Sequence, residues 1–153
     1  MVTLSAILQA PVQALIKPSM WLPCIHRLHS CKETWKTDCN LKEFREAVIS
    51  TVYKIIASQE STEFWDFHEV REDGTFFRIF TFTRAEWLDV IEIKYIEGHY
   101  EVCSYSSGVL PLIIPFACIL NIVFFFVPFL DQGLNQRRLQ RLKDALSIPV
   151  HMV

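Results

Sequence analysis

The chain has 153 residues, 51% of them hydrophobic, with twelve Phe, four Trp and four Gly. That is long enough for one domain with its own core and too apolar for a disordered chain. A formal net charge of −2 and a pI near 6.2 leave no electrostatic footprint for nucleic acid, so no nucleic-acid partner is expected.

Residues 1–39 read as an arm, first apolar and then rich in Cys and His. Leu4, Ile7, Leu8, Val12, Leu15 and Ile16 fall at helical spacing, with Pro11 interrupting and Pro18 and Pro23 forbidding a long helix. No basic n-region precedes them, which argues against a cleaved signal peptide and for an amphipathic segment lying on a membrane or on the domain. Cys24, His26, His29, Cys31 and Cys39 then crowd together. Zinc sites usually combine two closely spaced ligand pairs. The C-x-H-x-x-H-x-C spacing here has no second pair after it, so no metal or other cofactor is assigned. The odd number of cysteines, without framework spacing, fits free thiols or at most one or two bridges, such as Cys31–Cys39, better than a secreted disulfide scaffold.

Residues 40–147 carry the periodic elements. A helix is expected over 41–58, with Asn40 as N-cap, Glu43 completing a capping box, and Leu41, Phe44, Val48, Val52, Ile55 and Ile56 as its apolar stripe. From residue 63 the period becomes two. FWDFHEV (64–70) and TFFRIFTFT (75–83) flank a turn at Asp73-Gly74, and WLDVIEIKYI (87–96) and HYEVCSY (99–105) flank one at Glu97-Gly98. Ile91, Ile93 and Tyr95 alternate with Glu92 and Lys94, which predicts one buried and one hydrated sheet face. A last helix is expected over 134–146, with Leu139, Leu142 and Leu146 inward and Arg137, Arg138, Arg141 and Lys143 on its polar sides. The fold class is therefore α+β: a two-layer arrangement of about four antiparallel strands with two helices on one face. Residues 148–153 form a short tail.

Residues 109–130, VLPLIIPFACILNIVFFFVPFL, contain no charge and a single polar side chain, Asn121. Their length suits a spanning helix, but Pro111, Pro115 and Pro128 leave only 116–127 uninterrupted. At about 1.5 Å per residue that is roughly 18 Å, short of the roughly 30 Å hydrocarbon core.

The segments DVIEI, YEVCSYSSG and DQGLNQRRLQRL resemble the strand and helix motifs of the DUF1499 family of uncharacterised domains. The match covers about residues 40–147. It places Asp89 and Glu92 in one strand motif, Glu101, Ser104, Ser106 and Gly108 in the next, and Asp131, Gly133, Asn135 and Arg138 at the start of the last helix. Cys103 and Ser107 stand where that family usually carries arginines. The resemblance implies a fold rather than an activity. It also implies that 109–130 is an insertion between adjacent motifs, which must leave and return at one place. The expectation is a re-entrant or interfacial apolar hairpin rather than a span.

Exposing so much apolar surface is costly, about 1.5–3 kcal/mol per large side chain, and a patch of this size marks a membrane or a protein partner. Leu112, Ile113, Phe116, Ile119, Ile122, Phe124, Phe125, Phe126 and Phe129 are the expected contact residues. Arg137, Arg141 and Lys143 are the basic surface that an anionic leaflet would attract. Asp131, Gly133, Asn135 and Arg138 are expected to be structural, with Asp131 capping the helix and Asn135 and Arg138 tying it to the sheet. His68 and His99 have no evident nucleophile and orienting acid beside them, so no catalytic residue is assigned. The sequence reads as a non-catalytic, membrane-associated accessory protein with membrane lipid and subunits of a membrane complex as partners. The competing reading is a carrier of lipid or another hydrophobic ligand, lined by Phe76, Phe77, Phe80, Phe82 and Trp87, with the apolar segment as its lid.

Overall fold

The computed structural model describes residues 2–58 and 63–153. In chain order the elements are α1 (Leu4–Ile16), β1 (Ser30–Lys36), α2 (Leu41–Ala57), β2 (Phe64–Val70), β3 (Phe76–Phe82), β4 (Leu88–Ile96), β5 (His99–Ser106), α3 (Ala117–Val123), α4 (Leu134–Ala145) and β6 (His151–Met152). The strands form one antiparallel sheet in the order β2-β3-β4-β5-β1-β6.

The local signals act as elementary chemistry dictates. Asn40 accepts from the Glu43 amide at 2.9 Å while Glu43 Oε2 accepts from the Asn40 amide at 3.2 Å, closing the capping box of α2. Gly74, with φ 74°, makes the tight turn between β2 and β3. The β4–β5 turn uses Glu97 (φ 46°) and Gly98 (φ 89°), the two positive φ values of a hairpin turn whose twist matches its strands.

The sheet is α+β as expected, but it has six strands rather than four, and helices on both faces rather than one. On one side α2 and α4 cover a core built from Trp35, Phe44, Val48, Phe77, Ile91, Ile93, Tyr100, Val102 and Leu139, with the Phe44 and Tyr100 rings stacked at 3.7 Å. On the other side α1 and the 112–117 segment cover a second core of Phe80, Phe82, Leu88, Val90, Tyr105 and Leu112. The face expected to be hydrated is therefore covered where α1 lies, and Glu92 is buried there in an ion-pair knot. Its carboxylate meets Lys17 Nζ at 2.6 Å, Arg78 Nε at 3.1 Å and Lys94 Nζ at 3.4 Å, and accepts from Tyr105 Oη at 3.3 Å. Two strands, β1 and β6, come from segments outside residues 40–147, so both ends of the chain contribute to the sheet.

No apolar hairpin projects from the domain. The 112–123 part of this segment instead packs beside α1, and Phe125 and Phe129 lie against Trp21 and His29. Leu112 donates its amide to Glu86 O at 2.9 Å, and Asn121 brackets Leu110 by accepting from its amide at 2.8 Å and donating to its carbonyl at 3.1 Å. The helical part is α3, seven residues long. Among the described residues no helix is long and apolar enough to cross a membrane.

Candidate functional site

The face that α1 turns toward the sheet is made of small and polar residues. Ala6, Ala10 and Ala14 repeat at four-residue spacing and are buried, and Gln13 lies beside them. Small side chains let the helix backbone approach the sheet closely. The side-chain amides of Gln9, partly buried, and Gln13, fully buried, are spent on backbone partners. Gln9 donates to Leu112 O and Ile114 O, both at 3.0 Å, and accepts from the Cys118 amide at 3.0 Å. Gln13 donates to Ser107 O at 2.7 Å.

Leu4, Ile7, Leu8, Val12 and Leu15 are consequently left on the outside, Leu8 at 67% and Leu15 at 75% of full exposure. This is the reverse of an ordinary surface helix, whose apolar stripe faces the core. Two anchors fix this orientation. At the N-terminus Thr3 caps the helix and also binds Glu86, its amide to Oε1 at 3.0 Å and its hydroxyl to Oε2 at 2.5 Å. At the C-terminus Lys17 is held by Glu92.

The outer surface of the 113–130 segment extends this face, because α3 packs beside α1. Of the expected contact residues, Ile113, Phe116, Ile119, Phe124 and Phe126 are exposed, Phe116 at 71%. Ile122, Phe125 and Phe129 are half-buried. Phe125 leans on Trp21 with ring centroids 5.4 Å apart, and Phe129 stacks on His29 at 4.3 Å. Leu112 is a correction: it is buried in the core under α1 and is not available for contact. Neither α1 nor residues 109–130 carry a charge. Trp21 stands at the margin, half exposed, its indole donating to Ile16 O at 3.0 Å.

The expected basic surface is not a continuation of this face. Helix α4 covers the opposite side of the sheet, so the sheet separates it from α1. Lys143 is engaged with Glu33 Oε2 at 3.3 Å and is mostly buried. Arg141 approaches Ser58 Oγ at 3.5 Å, and Arg137 donates to Gln132 O at 2.9 Å.

The polar motif residues meet in one knot at the start of α4. Asp131 accepts from the Gly133 amide at 2.9 Å and the Asn135 amide at 3.0 Å, and Gly133 takes φ 74°. Asn135, fully buried, accepts from Ser104 Oγ at 2.6 Å and donates to His29 O, Ser106 Oγ and Asp131. Arg138, also buried, binds Asp89 Oδ2 at 2.5 Å and both oxygens of Glu63, at 2.8 and 3.3 Å. Burial pushes the Asp89 carboxyl above its usual range, with Arg138 opposing. Asp89, Glu63 and Ser104 were not expected in this knot: their partners Arg138 and Asn135 lie 31 to 75 positions away, and no local period in the sequence signals such a pairing.

All five cysteines are free thiols, so the Cys31–Cys39 bridge does not form, and burial pushes the Cys103 thiol up to about 11. Among the described residues no three His, Cys, Asp or Glu side chains gather as a metal site. His68 stacks on Phe80 at 4.2 Å and is held below its usual pKa, first by burial and then by Arg78. No family model, curated protein or solved structure matches the chain.

Proposed function

We propose that the protein is a non-catalytic accessory component held on one leaflet of a membrane by the joined outer faces of α1 and residues 113–126, with the sheet and α4 facing away. The observation that carries this reading is the inverted helix α1, which spends its alanines and glutamines inward and presents leucines outward. Leaving those leucines in water would cost about 1 kcal/mol or more each, with no folding benefit in return. A 13-residue helix is roughly 20 Å long, too short to span and suited to lying in the interfacial plane. Trp21 at the margin fits the headgroup level. The likeness to the DUF1499 motifs belongs to the same proposal and adds no activity to it. A hydrophobic-ligand carrier would need Phe77, Phe80 and Phe82 around an open chamber, whereas all three are buried within the two cores.

The test is flotation with phosphatidylcholine vesicles after detergent removal. The wild-type chain is expected to float, and the Leu8→Asp/Phe116→Asp variant to stay in the aqueous fraction with unchanged far-UV circular dichroism. A wild-type chain that stays monomeric and vesicle-free in detergent-free buffer overturns the proposal.

A further inference from the structure

Where the apolar segment leaves and rejoins the sheet, the chain encloses a half-open cavity of about 340 Å³. Its polar wall comes from Asp89, Ser106, Asp131 and Thr83; Trp87, Phe129, Val109 and Leu130 supply the apolar wall. Among the described residues no Lys, Arg or His side chain lines it. Arg138, whose guanidinium binds the wall residue Asp89, is already shared between Asp89 and Glu63. Arg137 stands off at the Gln132 carbonyl. Carboxylates thus outnumber cations around the cavity, and the field inside it favours a positive ligand.

A second observation points the same way. Asp89 is only 2% exposed, and while its Oδ2 holds Arg138, its Oδ1 has no hydrogen-bond partner. Ser106 stands near enough to favour the ionised form, yet no hydrogen bond reaches Oδ1. A buried carboxylate oxygen without a donor is costly, by roughly the strength of a charge-assisted bond, and on a residue that lines a cavity it can be satisfied by an N–H or O–H group entering there. Trp87 and Phe129 add aromatic surface of the kind that attracts organic cations. A hard divalent ion is poorly served, since no third ligand side chain joins Asp89 and Asp131 among the described residues.

We propose that this cavity binds a primary organic ammonium group, whose N–H donors fill the vacancy at Asp89 Oδ1 while its carbon side meets Trp87 and Phe129. The ammonium can belong to a free small amine or to an aminolipid headgroup. The site does not depend on the membrane reading of the apolar face, because a soluble amine probes it directly.

The experiment is calorimetric titration of the full chain in maltoside detergent with ethanolamine hydrochloride, choline chloride and ethylene glycol at neutral pH. Ethanolamine is expected to bind saturably, choline roughly tenfold more weakly because it has no N–H, and ethylene glycol not at all. Asp89→Asn is expected to weaken ethanolamine by about tenfold or more. Because that change also touches Arg138, Trp87→Leu at the open rim serves as the second variant, with about a threefold to tenfold loss expected. Vesicles containing phosphatidylethanolamine then identify the source. Stronger recruitment than to phosphatidylcholine alone, lost in Trp87→Leu, assigns a lipid headgroup; equal recruitment with ethanolamine binding intact assigns a free amine. No saturable binding of ethanolamine, binding of ethylene glycol as tight as that of ethanolamine, or wild-type affinity in Trp87→Leu overturns the proposal.

Discussion

Lys17 Nζ and Glu92 Oε1 lie 2.6 Å apart, joining the residue that ends α1 to the middle of β4 across 75 positions of chain. Lys17 takes a left-handed conformation (φ 51°), so the turn that ends the helix is also what aims its ammonium at the sheet. Glu92 is nearly inaccessible, and removing its closest cation leaves the buried carboxylate to Arg78 and the more distant Lys94. Lys17→Met is expected to cost about 1–3 kcal/mol and to loosen α1 first. Hydrogen exchange of amides 6–16 checks it: faster exchange there than in α2 is the expected pattern, and uniform protection refutes the clamp.

The same carboxylate sets an acid limit. Burial alone would raise Glu92, but Lys17, Lys94 and Arg78 outweigh it and hold the group below its usual 4.5. The unfolded chain therefore takes up this proton first, and the stabilisation is complete above about pH 4.5 and lost as pH falls below it. Urea unfolding from pH 6 to 3 is expected to show this decline in the wild type and a shallower one in Lys17→Met.

His29 works in a different window. It is fully buried against Phe129, both ring nitrogens lack partners, and burial lowers its pKa from 6.5 despite opposing help from Asp131. Between about 6.5 and its lowered folded value the unfolded chain binds the extra proton, so stability falls as pH drops through that range. His29→Leu is expected to abolish this part of the pH slope, whatever it does to absolute stability.

Helix α1 should invert the usual rule for leucine and alanine. Leu8→Gln on the outer face is expected to change stability by less than about 0.5 kcal/mol. Ala10→Leu, placed where the helix meets the sheet at 1% exposure, is expected to cost about 1–3 kcal/mol. Thermal unfolding in maltoside measures both, and a costly Leu8→Gln would mean that the helix sits the other way round.

Gly108 is the point where α1 and α3 are tied to the end of β5. A Cβ there would lie 2.4 Å from both Asn121 Cγ and Gln13 Nε2. Gly108→Ala is expected to destabilise by about 2–4 kcal/mol by breaking the Gln13–Ser107 and Asn121–Leu110 hydrogen bonds together. Denaturant unfolding gives the value.

Helix α2, both hairpins and α4 were legible because each carries a local signature: a capping box, an Asp-Gly or Glu-Gly turn, or a clean apolar stripe. Strand β1 was hidden by chemistry on its core side. Glu33 sits between Cys31 and Trp35 on the inward face, where it accepts from the Trp35 indole at 2.6 Å and pairs with Lys143, so the apolar alternation is broken by a satisfied charge. The Cys and His crowd around it drew attention to ligands instead. The covered second face was hidden likewise, since Arg78, Glu92 and Lys94 look hydrated until Lys17 arrives from far along the chain. Apolar spacing showed that residues 4–16 favour a helix but not which side faces in; that depends on three alanines and two glutamines whose partners lie near residue 112. The two-residue strand β6 is too short to leave any period.

Helix α1 docks on strands and loops made much later in translation: Gln9 bonds a carbonyl 105 positions onward. At about 5–20 residues per second a ribosome needs roughly 5–20 s to supply that partner. Throughout that interval the uncharged, leucine-rich segment 4–16 lacks the carbonyl and amide partners at 107–118 that fix its inward face. The inward and outward faces of α1 are therefore sorted only after the last third of the sheet and its following segment exist, which makes the docking of this helix a late event in the chain's synthesis.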